Sequence, residues 1–171
     1  MAEQSGNTAP REQVLVRPLD PGEIPILLTL IGELADFERM AHRVTATPER
    51  MRAALFGPTP FAEAVLGWLG DEPVAYAVYY HTLSTFAAAP GLYIEDILVR
   101  EAHRGNGYGE ILMRHLAGIA VSRGCTGMSW SVLSWNRRAI NFYTALGAEH
   151  NTEWDAYKIS GQALSNLSSK I

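Results

Sequence analysis

The hexapeptide RGNGYG at residues 104–109 combines three glycines with a position directly before a predicted helix. Glycine lets a backbone come close to a ligand, and a helix N-terminus presents unpaired N–H groups at the positive end of the helix dipole. Phosphate oxygens are the groups that such an arrangement binds. The segment lacks the Gly-Lys-Ser/Thr ending of a nucleotide P-loop and the acidic ribose partner of a complete GxGxxG motif. By itself it fits a phosphate site and an ordinary glycine turn equally well.

The glycine turn is predicted to join a strand to a helix. Residues 92–99 (LYIEDILV) read as a strand, and apolar residues recur at helical spacing from Ile111 to Ala120, before Gly124. A second strand is predicted at residues 126–133 (TGMSWSVL). A strand, a helix and a strand in this order form a right-handed crossover, so we expect the two strands to be parallel.

The rest of the chain is predicted to supply further strands and helices around this crossover. Periods of two and of about 3.6 residues alternate along it, and proline, glycine or N-cap residues mark the ends of the segments. The predicted strands are residues 13–18, 61–69 and 74–84, with short strands within residues 148–160. The predicted helices are residues 21–40, with a capping box at residues 20–23, residues 48–56, and residues 137–146, with Asn136 as N-cap. This order indicates an α+β (mixed α/β) domain.

Composition bounds the function. The chain has 171 residues and is 47% hydrophobic, which excludes a disordered or fibrous protein. Its 14 basic and 18 acidic side chains give a net charge of −4, so no global positive field exists to hold nucleic acid or an anionic membrane. The single cysteine, Cys125, excludes an internal disulfide and a multi-cysteine metal site.

The start of the sequence shows no basic-then-apolar signal pattern, so no targeting segment is expected there. Residues 1–12 are polar and are predicted to form a flexible tail, and residues 13–171 to form a single domain. The serine-rich end at residues 165–171 is expected to fray. No run of about 18 apolar residues occurs. These features predict a cytoplasmic protein.

Five sequence stretches, one of them the glycine turn, occur in an order along the chain that is typical of a known family. They are ELADFERM (33–40), YIEDILV (93–99), RGNGYG (104–109), WNRRAINFY (135–143) and LGA (146–148). With them the chain resembles the GNAT superfamily of acyl-CoA-dependent N-acetyltransferases, and within it the diamine group of spermidine/spermine and thialysine acetyltransferases. The likeness runs from about residue 14 to residue 158. It implies a central, mostly antiparallel twisted sheet with one parallel strand pair, flanked by about four helices.

The resemblance implies acetyl-CoA as the acetyl donor. In the family, backbone amides of the glycine turn hold the CoA pyrophosphate, and the strand before it pairs with the pantetheine arm. The cofactor-binding residues implied here are Ile97, Leu98, Val99, Arg104, Gly105, Asn106, Gly107, Tyr108, Gly109, Asn136 and Tyr143. Arg100 and Arg104 are candidates either to add positive charge beside the phosphates or to be solvated surface residues.

The resemblance also implies two catalytic residues. An alkyl ammonium with a pKa near 10.4 is neutral in only about one molecule per thousand at pH 7, so acetylation needs a proton acceptor. Glu95 matches the family carboxylate with that role, with a simple surface acid as the alternative. Tyr143 matches the tyrosine that protonates the departing thiolate, with a core aromatic as the alternative. Strand alternation predicts that Asp96 faces away from Glu95.

The implied substrate-binding residues are Glu38, Glu95, Asp96 and Trp154. Glu38 matches an acid that holds the distal ammonium of the substrate, and Trp154 resembles a tryptophan that lines the amine site. After Glu38 the sequence reads RMAHR, where the polyamine enzymes carry further acids. Arg39 or Arg43 would repel a long polyamine and could pair with the carboxylate of a thialysine-type substrate.

These features predict direct transfer of acetyl to the primary amine of a small di- or polyamine or a lysine-like amino acid, in a ternary complex. The alternatives are a catalytically idle acetyl-CoA-binding sensor and an acetyltransferase that acts on protein amines. His81 is either an alternative base or an imidazole in place of an aromatic. The histidines show no metal-ligand spacing, so we expect no metal. Members of the family are commonly homodimers, which makes a dimer the default expectation.

Overall fold

The computed structural model describes residues 13–169, and the tail predicted at residues 1–12 lies outside them. The chain divides into two compact units, with the boundary between Ser131 and Val132. We describe each unit by itself. One domain over residues 13–171 stays a prediction.

The first unit is a five-stranded sheet with helices. Its elements are β1 (Leu15–Pro18), α1 (Ile24–Phe37), α2 (Pro48–Phe56), β2 (Glu63–Leu69), β3 (Glu72–Ser84), β4 (Ala89–Val99), α3 (Tyr108–Ser122) and β5 (Met128–Trp130). The strands lie in the order β1-β2-β3-β4-β5. All neighbours are antiparallel except β4 and β5, which are parallel. The predicted fold class and the parallel pairing around the glycine turn are confirmed.

Local signals start the helices where the sequence predicts. The Asp20 side chain accepts a hydrogen bond from the Gly22 backbone (2.9 Å), and the Glu23 side chain accepts one from the Asp20 backbone (2.8 Å), which is the predicted capping box. A short 3₁₀ turn, Pro21–Glu23, then leads into α1. At α2 the Thr47 hydroxyl accepts from the Arg50 backbone N–H.

The core lies on both faces of the sheet. Side chains of α1 and α2 pack against Leu66 of β2, Tyr76 and Val78 of β3, and Leu98 of β4. Helix α3 packs against β3 and β4 and buries Leu112, Met113, Leu116 and Ala120. The central strand β3 is buried continuously from Val74 to Tyr79. Buried packing on both sides therefore fixes the strands that carry the candidate site.

The second unit contains the helices α4 (Arg137–Ala145) and α5 (Gly161–Ser168). Asn136 caps α4 as predicted, since its side-chain oxygen accepts from the Ala139 backbone N–H at 3.2 Å. No helix among the described residues is long and apolar enough to span a membrane.

Three predictions near the C-terminus are wrong. The strand predicted at residues 126–133 spans only Met128–Trp130, because its pairing with β4 stops at Ile94. Within the described residues, 148–160 form no strand. Most of these side chains are exposed, and no neighbouring strand offers an edge with which this segment could pair. Instead of fraying from Ser165 onward, the chain continues α5 as far as Ser168.

Candidate active site

Strand β4 contains a bulge at Glu95. In the pairing of β3 with β4, Tyr79 lies opposite Ile94 and Val78 lies opposite Asp96, so Glu95 is the extra residue. A bulge bends its strand and changes the direction of the side chains that follow it. The two acids predicted for the site therefore lie where strict alternation is interrupted.

The bulge brings both acids to one face of the sheet. Tyr76 and Tyr80 share a face of β3 because they are an even number of residues apart. The Tyr76 hydroxyl donates to Asp96 Oδ2 across 3.5 Å, at the long end of the range for a hydrogen bond, and the Tyr80 hydroxyl interacts with the Glu95 carboxylate. The prediction that Asp96 faces away from Glu95 is wrong, because it assumed an uninterrupted strand.

Glu38 belongs to the same group of side chains. It directly follows the last residue of α1 and is half-buried, and burial raises the pKa of its carboxyl group. Its negative charge also raises the pKa values of Tyr76 and Asp96. We call Glu38, Tyr76, Glu95 and Asp96 the acid cluster.

Asp96 is the most perturbed carboxylate of the acid cluster. Burial, followed by the charges of Glu95 and Glu38, raises its pKa to about 6, and the hydrogen bond from Tyr76 opposes this rise. Burial also raises the pKa of Tyr76, so its hydroxyl stays protonated and can only donate to a carboxylate. A cationic amine would relieve the repulsion among these three carboxylates, so the cluster is suited to binding one.

One edge of β4 is open beside the acid cluster. Strand β5 pairs with β4 only from Leu92 to Ile94. Within residues 13–169 no strand continues along that edge, so Ile97, Leu98 and Val99 have a strand partner on the β3 side alone. An extended ligand with amide groups binds a strand edge as an added strand would. The edge fits the pantetheine arm that the resemblance assigns to these residues.

The glycine turn begins α3. Gly105 and Gly107 have φ values of 87° and 84°, which favour glycine, and a Cβ atom on either would meet nothing within 4 Å. Gly107 is the N-cap of α3 and contributes no side-chain cap, so the first N–H groups of Tyr108 and Gly109 lack a capping side chain. An open surface with helix N–H groups fits a diphosphate. The Asn106 side chain instead donates to the His103 carbonyl at 3.2 Å.

Both arginines near the turn are engaged within the first unit. The Arg100 guanidinium binds Glu33 of α1 through Nε (3.0 Å) and Nη2 (2.6 Å). Arg104 Nε donates to the Val99 carbonyl at 2.9 Å, and its guanidinium lies 4.8 Å from the centre of the Phe37 ring. Arg100 is therefore not a solvated cation, and its charge is already paired with a carboxylate.

The second unit carries Asn136, Tyr143 and Trp154. Tyr143 is half-buried on α4, its ring centre lies 5.3 Å from that of Phe142, and burial raises the pKa of its hydroxyl. The hydroxyl is thus protonated at neutral pH, as a general acid must be. Trp154 lies in the strandless segment and is 73% exposed.

His81 lies away from the acid cluster. It is exposed on β3, opposite Leu92, and alternation puts it on the face opposite to Tyr76 and Tyr80. The pKa of Glu63 is lowered mainly by the hydrogen bond from Arg123 and least by His81. Among residues 13–169, no three His, Cys, Asp or Glu side chains come together as a group that could hold a metal ion.

Comparison with known proteins agrees with this geometry. Residues 31–148 match the model of the acetyltransferase (GNAT) family. The chain belongs to the GNAT acetyltransferase family. This acetyltransferase is 34% identical over 168 residues to the thialysine N-epsilon-acetyltransferase of Bos taurus, with 92% of this chain and 98% of that protein covered.

Two further matches show the range of relatives. The L-ornithine N5-acetyltransferase NATA1 of Arabidopsis thaliana is 27% identical, with 87% of this chain and 85% of that protein covered. An integron cassette protein from the mobile metagenome of V. cholerae has the same fold, with a TM-score of 0.78, 24% identity, and coverage of 92% of this chain and 98% of that one. The protein is an acetyl-CoA-dependent N-acetyltransferase.

Sequence reasoning missed Tyr76. A tyrosine inside an apolar strand reads as core, and Tyr76 is fully buried. Its hydroxyl could have identified it as a site residue. A buried tyrosine hydroxyl needs a hydrogen-bond partner, and the sequence places two adjacent acids on the next strand.

Proposed function

We propose that this acetyltransferase moves the acetyl group of acetyl-CoA directly to the primary amine of a small di- or polyamine or a lysine-like amino acid. The acid cluster carries the proposal, because Glu38, Glu95 and Asp96 bring negative charge to one face beside the open edge of β4. The relatives named for thialysine and ornithine support an amine with a second charged group on the same molecule.

The amine must lose a proton before it attacks. The neutral nitrogen adds to the thioester carbonyl carbon, the C–S bond breaks, and the amide and a thiolate form. Glu95 accepts the proton that the ammonium loses before the attack, directly or through water, and passes it to solvent, while the Asp96 carboxylate beside it binds the substrate cation. Tyr143 gives its hydroxyl proton to the thiolate, and the second proton that the nitrogen loses as the amide forms restores the Tyr143 hydroxyl through water, so the products are the N-acetylated amine, CoA thiol and one proton released to solvent.

Acetyl-CoA would be held by three sets of groups. The backbone of the glycine turn and the first N–H groups of α3 take the pyrophosphate, and Ile97, Leu98 and Val99 pair with the pantetheine amides. Asn136, already the N-cap of α4, is the further contact that the family resemblance supplies. The open space over Gly105 and Gly107 supports the pyrophosphate position.

We also propose that the enzyme is a cytoplasmic homodimer. The free thiol of Cys125 suits a reducing compartment. Exposed apolar side chains of the second unit, including Ile159 and Leu164, support an assembly that covers them. Sedimentation at micromolar concentration tests the dimer, and a monomer there contradicts it.

The proposed reaction is tested by CoA-thiol release from acetyl-CoA with a panel of spermidine, putrescine, lysine, thialysine and a lysine peptide. We expect release that depends on one of the small amines, and calorimetric binding of acetyl-CoA in the absence of amine. Release with the lysine peptide alone would instead indicate an acetyltransferase for protein amines. Binding of acetyl-CoA with no release across the panel would favour the idle sensor.

A further inference from the structure

The segment between β4 and α3 is held by side-chain contacts to α1 and β3. It starts at Arg100, whose backbone N–H donates to the Val74 carbonyl (2.9 Å) and so continues the pairing of β4 with β3 by one residue. A short 3₁₀ turn, Glu101–His103, follows, and then the glycine turn at residues 104–109. Arg100 is therefore the point at which the sheet ends and the path to the glycine turn begins.

The Arg100 guanidinium joins α1 to β3 at this point. Besides its two hydrogen bonds to Glu33 of α1, its Nη1 donates to the Pro73 carbonyl (3.4 Å) and lies 3.5 Å from Glu72 Oε1, both at the start of β3. All three of its nitrogens thus contact oxygen atoms of the protein. A guanidinium that binds a carboxylate through two nitrogens fixes direction as well as distance.

A second series of contacts leads from Glu72 into the glycine turn. The same Glu72 oxygen lies 3.2 Å from His103 Nε2, and the His103 carbonyl accepts from the Asn106 side chain. The Arg104 side chain donates back to the Val99 carbonyl at the end of β4. Four polar side chains of this segment therefore hold the segment itself in place, and the first N–H groups of α3 stay available for a ligand.

We propose that Arg100 is a positioning residue: it holds the glycine turn against α1 and β3, so that the turn binds the diphosphate of acetyl-CoA, and it does not itself touch the phosphates. The assignment rests on the proposed placement of the diphosphate at the glycine turn. The guanidinium already faces the carboxylates of Glu33 and Glu72. A phosphate that took Arg100 from them would leave two carboxylates unpaired beside an anion, which is unfavourable.

Direct contact with the phosphates is the other role open to an arginine at this place, and the two roles predict opposite effects of one substitution. Glu33→Gln removes the charge that pairs with Arg100 and keeps the shape of the side chain. If Arg100 positions the turn, this variant binds the diphosphate less tightly, because the turn loses its attachment to α1. If Arg100 binds the phosphates, the freed cation holds the diphosphate at least as tightly as before.

The test compares two acetyl donors that differ in the diphosphate. S-acetylpantetheine keeps the thioester and both amides of the pantetheine arm, but it lacks the diphosphate and the nucleotide of acetyl-CoA. We measure kcat/KM for both donors with the best amine of the panel and take the ratio, acetyl-CoA over S-acetylpantetheine. The proteins are the wild type, Arg100→Met, Arg100→Lys and Glu33→Gln.

We expect the ratio to fall roughly 3- to 30-fold in Arg100→Met and in Glu33→Gln, as loss of a partly exposed charge-assisted pair predicts, and chiefly through the KM for acetyl-CoA. The double variant should fall no further than either single variant, because both remove the same interaction. Arg100→Lys keeps the charge without the planar fork and should lie between the wild type and Arg100→Met.

The ion pair at the other end of α3 is the matched control. Arg123 binds Glu63 of β2 through two nitrogens, as Arg100 binds Glu33, and the side chains of both pairs are partly exposed. Arg123→Met and Glu63→Gln should lower the thermal midpoint by a comparable amount. They should leave the donor ratio unchanged, because this pair lies at the end of α3 away from the glycine turn.

Hydrogen exchange gives a readout that needs no amine. The Glu110 and Ile111 N–H groups both donate to the Gly107 carbonyl at 3.1 Å, so their exchange reports opening of the turn. We expect faster exchange at these two amides in Arg100→Met than in the wild type and in Arg123→Met. Calorimetric affinity for CoA should fall in the same variant.

The outcomes separate the possible failures. A donor ratio that stays unchanged in Arg100→Met, or kcat/KM values that fall equally for both donors, would overturn the positioning role. A ratio that rises in Glu33→Gln would overturn it in favour of direct phosphate contact. If the wild type releases thiol with no amine of the panel, the proposed function fails. Exchange and CoA affinity then decide the role of Arg100, as they do if S-acetylpantetheine reacts too slowly to measure, and wild-type values of both in Arg100→Met would overturn it.

Discussion

The two units of this protein stabilise their helices in different ways. In the first unit α1, α2 and α3 each bury apolar side chains against the sheet. In the second unit no residue from 132 to 169 is buried, although α4 and α5 are well-formed helices. Helix α4 depends on local signals, with Asn136 at its start and Gly147 after its end. Core burial fixes one unit, and capping defines the helices of the other.

The difference matters because the proposed chemistry is divided between the units. Glu38, Glu95 and Asp96 lie in the unit with a core, where burial raises the pKa values of Glu38 and Asp96. Tyr143 and Asn136 lie in the unit without buried residues. The proposed mechanism therefore places Tyr143, the proton donor to the thiolate, in the unit that has no buried residues.

The largest effect is therefore expected from a single hydroxyl in the second unit. Tyr143→Phe removes the proposed proton donor to the thiolate and should lower kcat roughly 10²- to 10⁴-fold. Acetyl-CoA affinity by calorimetry should stay close to that of the wild type, since the ring is kept. Steady-state thiol release over a range of acetyl-CoA concentrations measures both quantities.

Tyr157→Phe is the matched control for this experiment. It makes the same chemical change in the same unit at a side chain that is 94% exposed, and its turnover should equal that of the wild type. Wild-type turnover in Tyr143→Phe would show that another group or water supplies the proton. The second unit would then have no catalytic residue in this mechanism.

Two leucine-to-alanine substitutions, one in each unit, compare how much side-chain packing contributes to stability. Leu66 is fully buried in β2, whereas Leu167 in α5 is 57% exposed. Leu66→Ala should lower the free energy of unfolding by about 2 to 5 kcal/mol, and Leu167→Ala by less than about 0.5 kcal/mol. Urea titration followed by circular dichroism measures both. Equal losses would mean that Leu167 is buried in the protein as it exists in solution, and the contrast between the units would not hold.

The sequence predicted most of the first unit and less of the second for the same physical reason. Apolar periodicity reports burial, and burial decides structure in most of residues 13–131, so β1 to β4, the capping box and the glycine turn are predicted correctly, while the length of β5 is overestimated. At residues 148–160 short alternating runs were interpreted as strands, but pairing needs a sheet edge, which a local pattern does not reveal. Helix α5 has only eight residues, and its leucines Leu164 and Leu167 make too short a run to indicate a helical period.

The candidate site shows the same limit on a smaller scale. Residue types sufficed to mark Glu95, Asp96 and the glycine turn. The bulge at Glu95 was not predicted, because a one-residue shift between β3 and β4 depends on the pairing of the whole hairpin. Arg39, just after α1, has a φ of 60°, and this left-handed conformation was not predicted either, because arginine gives no local signal for it.

The smallest expected effect concerns the cost of burying the Asp96 carboxylate in the first unit. The pKa of Asp96 is raised to about 6 in the folded protein, chiefly by burial, whereas an unfolded aspartate titrates near 3.9. The folded state thus holds this proton more tightly. Below about pH 4 both states are protonated, and as the pH rises from about 4 through 6 the folded state loses stability relative to the unfolded one.

Asp96→Asn removes this titration and should stabilise the protein relative to the wild type by about 1 to 3 kcal/mol at pH 7.5, and by much less at pH 4.5. Thermal unfolding at a series of pH values gives the difference between the two proteins. In Tyr76→Phe the carboxylate loses a hydrogen bond that favours its charged form, so the pKa of Asp96 should rise further and the pH window should extend upward. A difference between Asp96→Asn and the wild type that does not change with pH would show that Asp96 is solvated in the folded state. Burial would then not set the charge of Asp96, and the packed core of the first unit would not extend to this side chain.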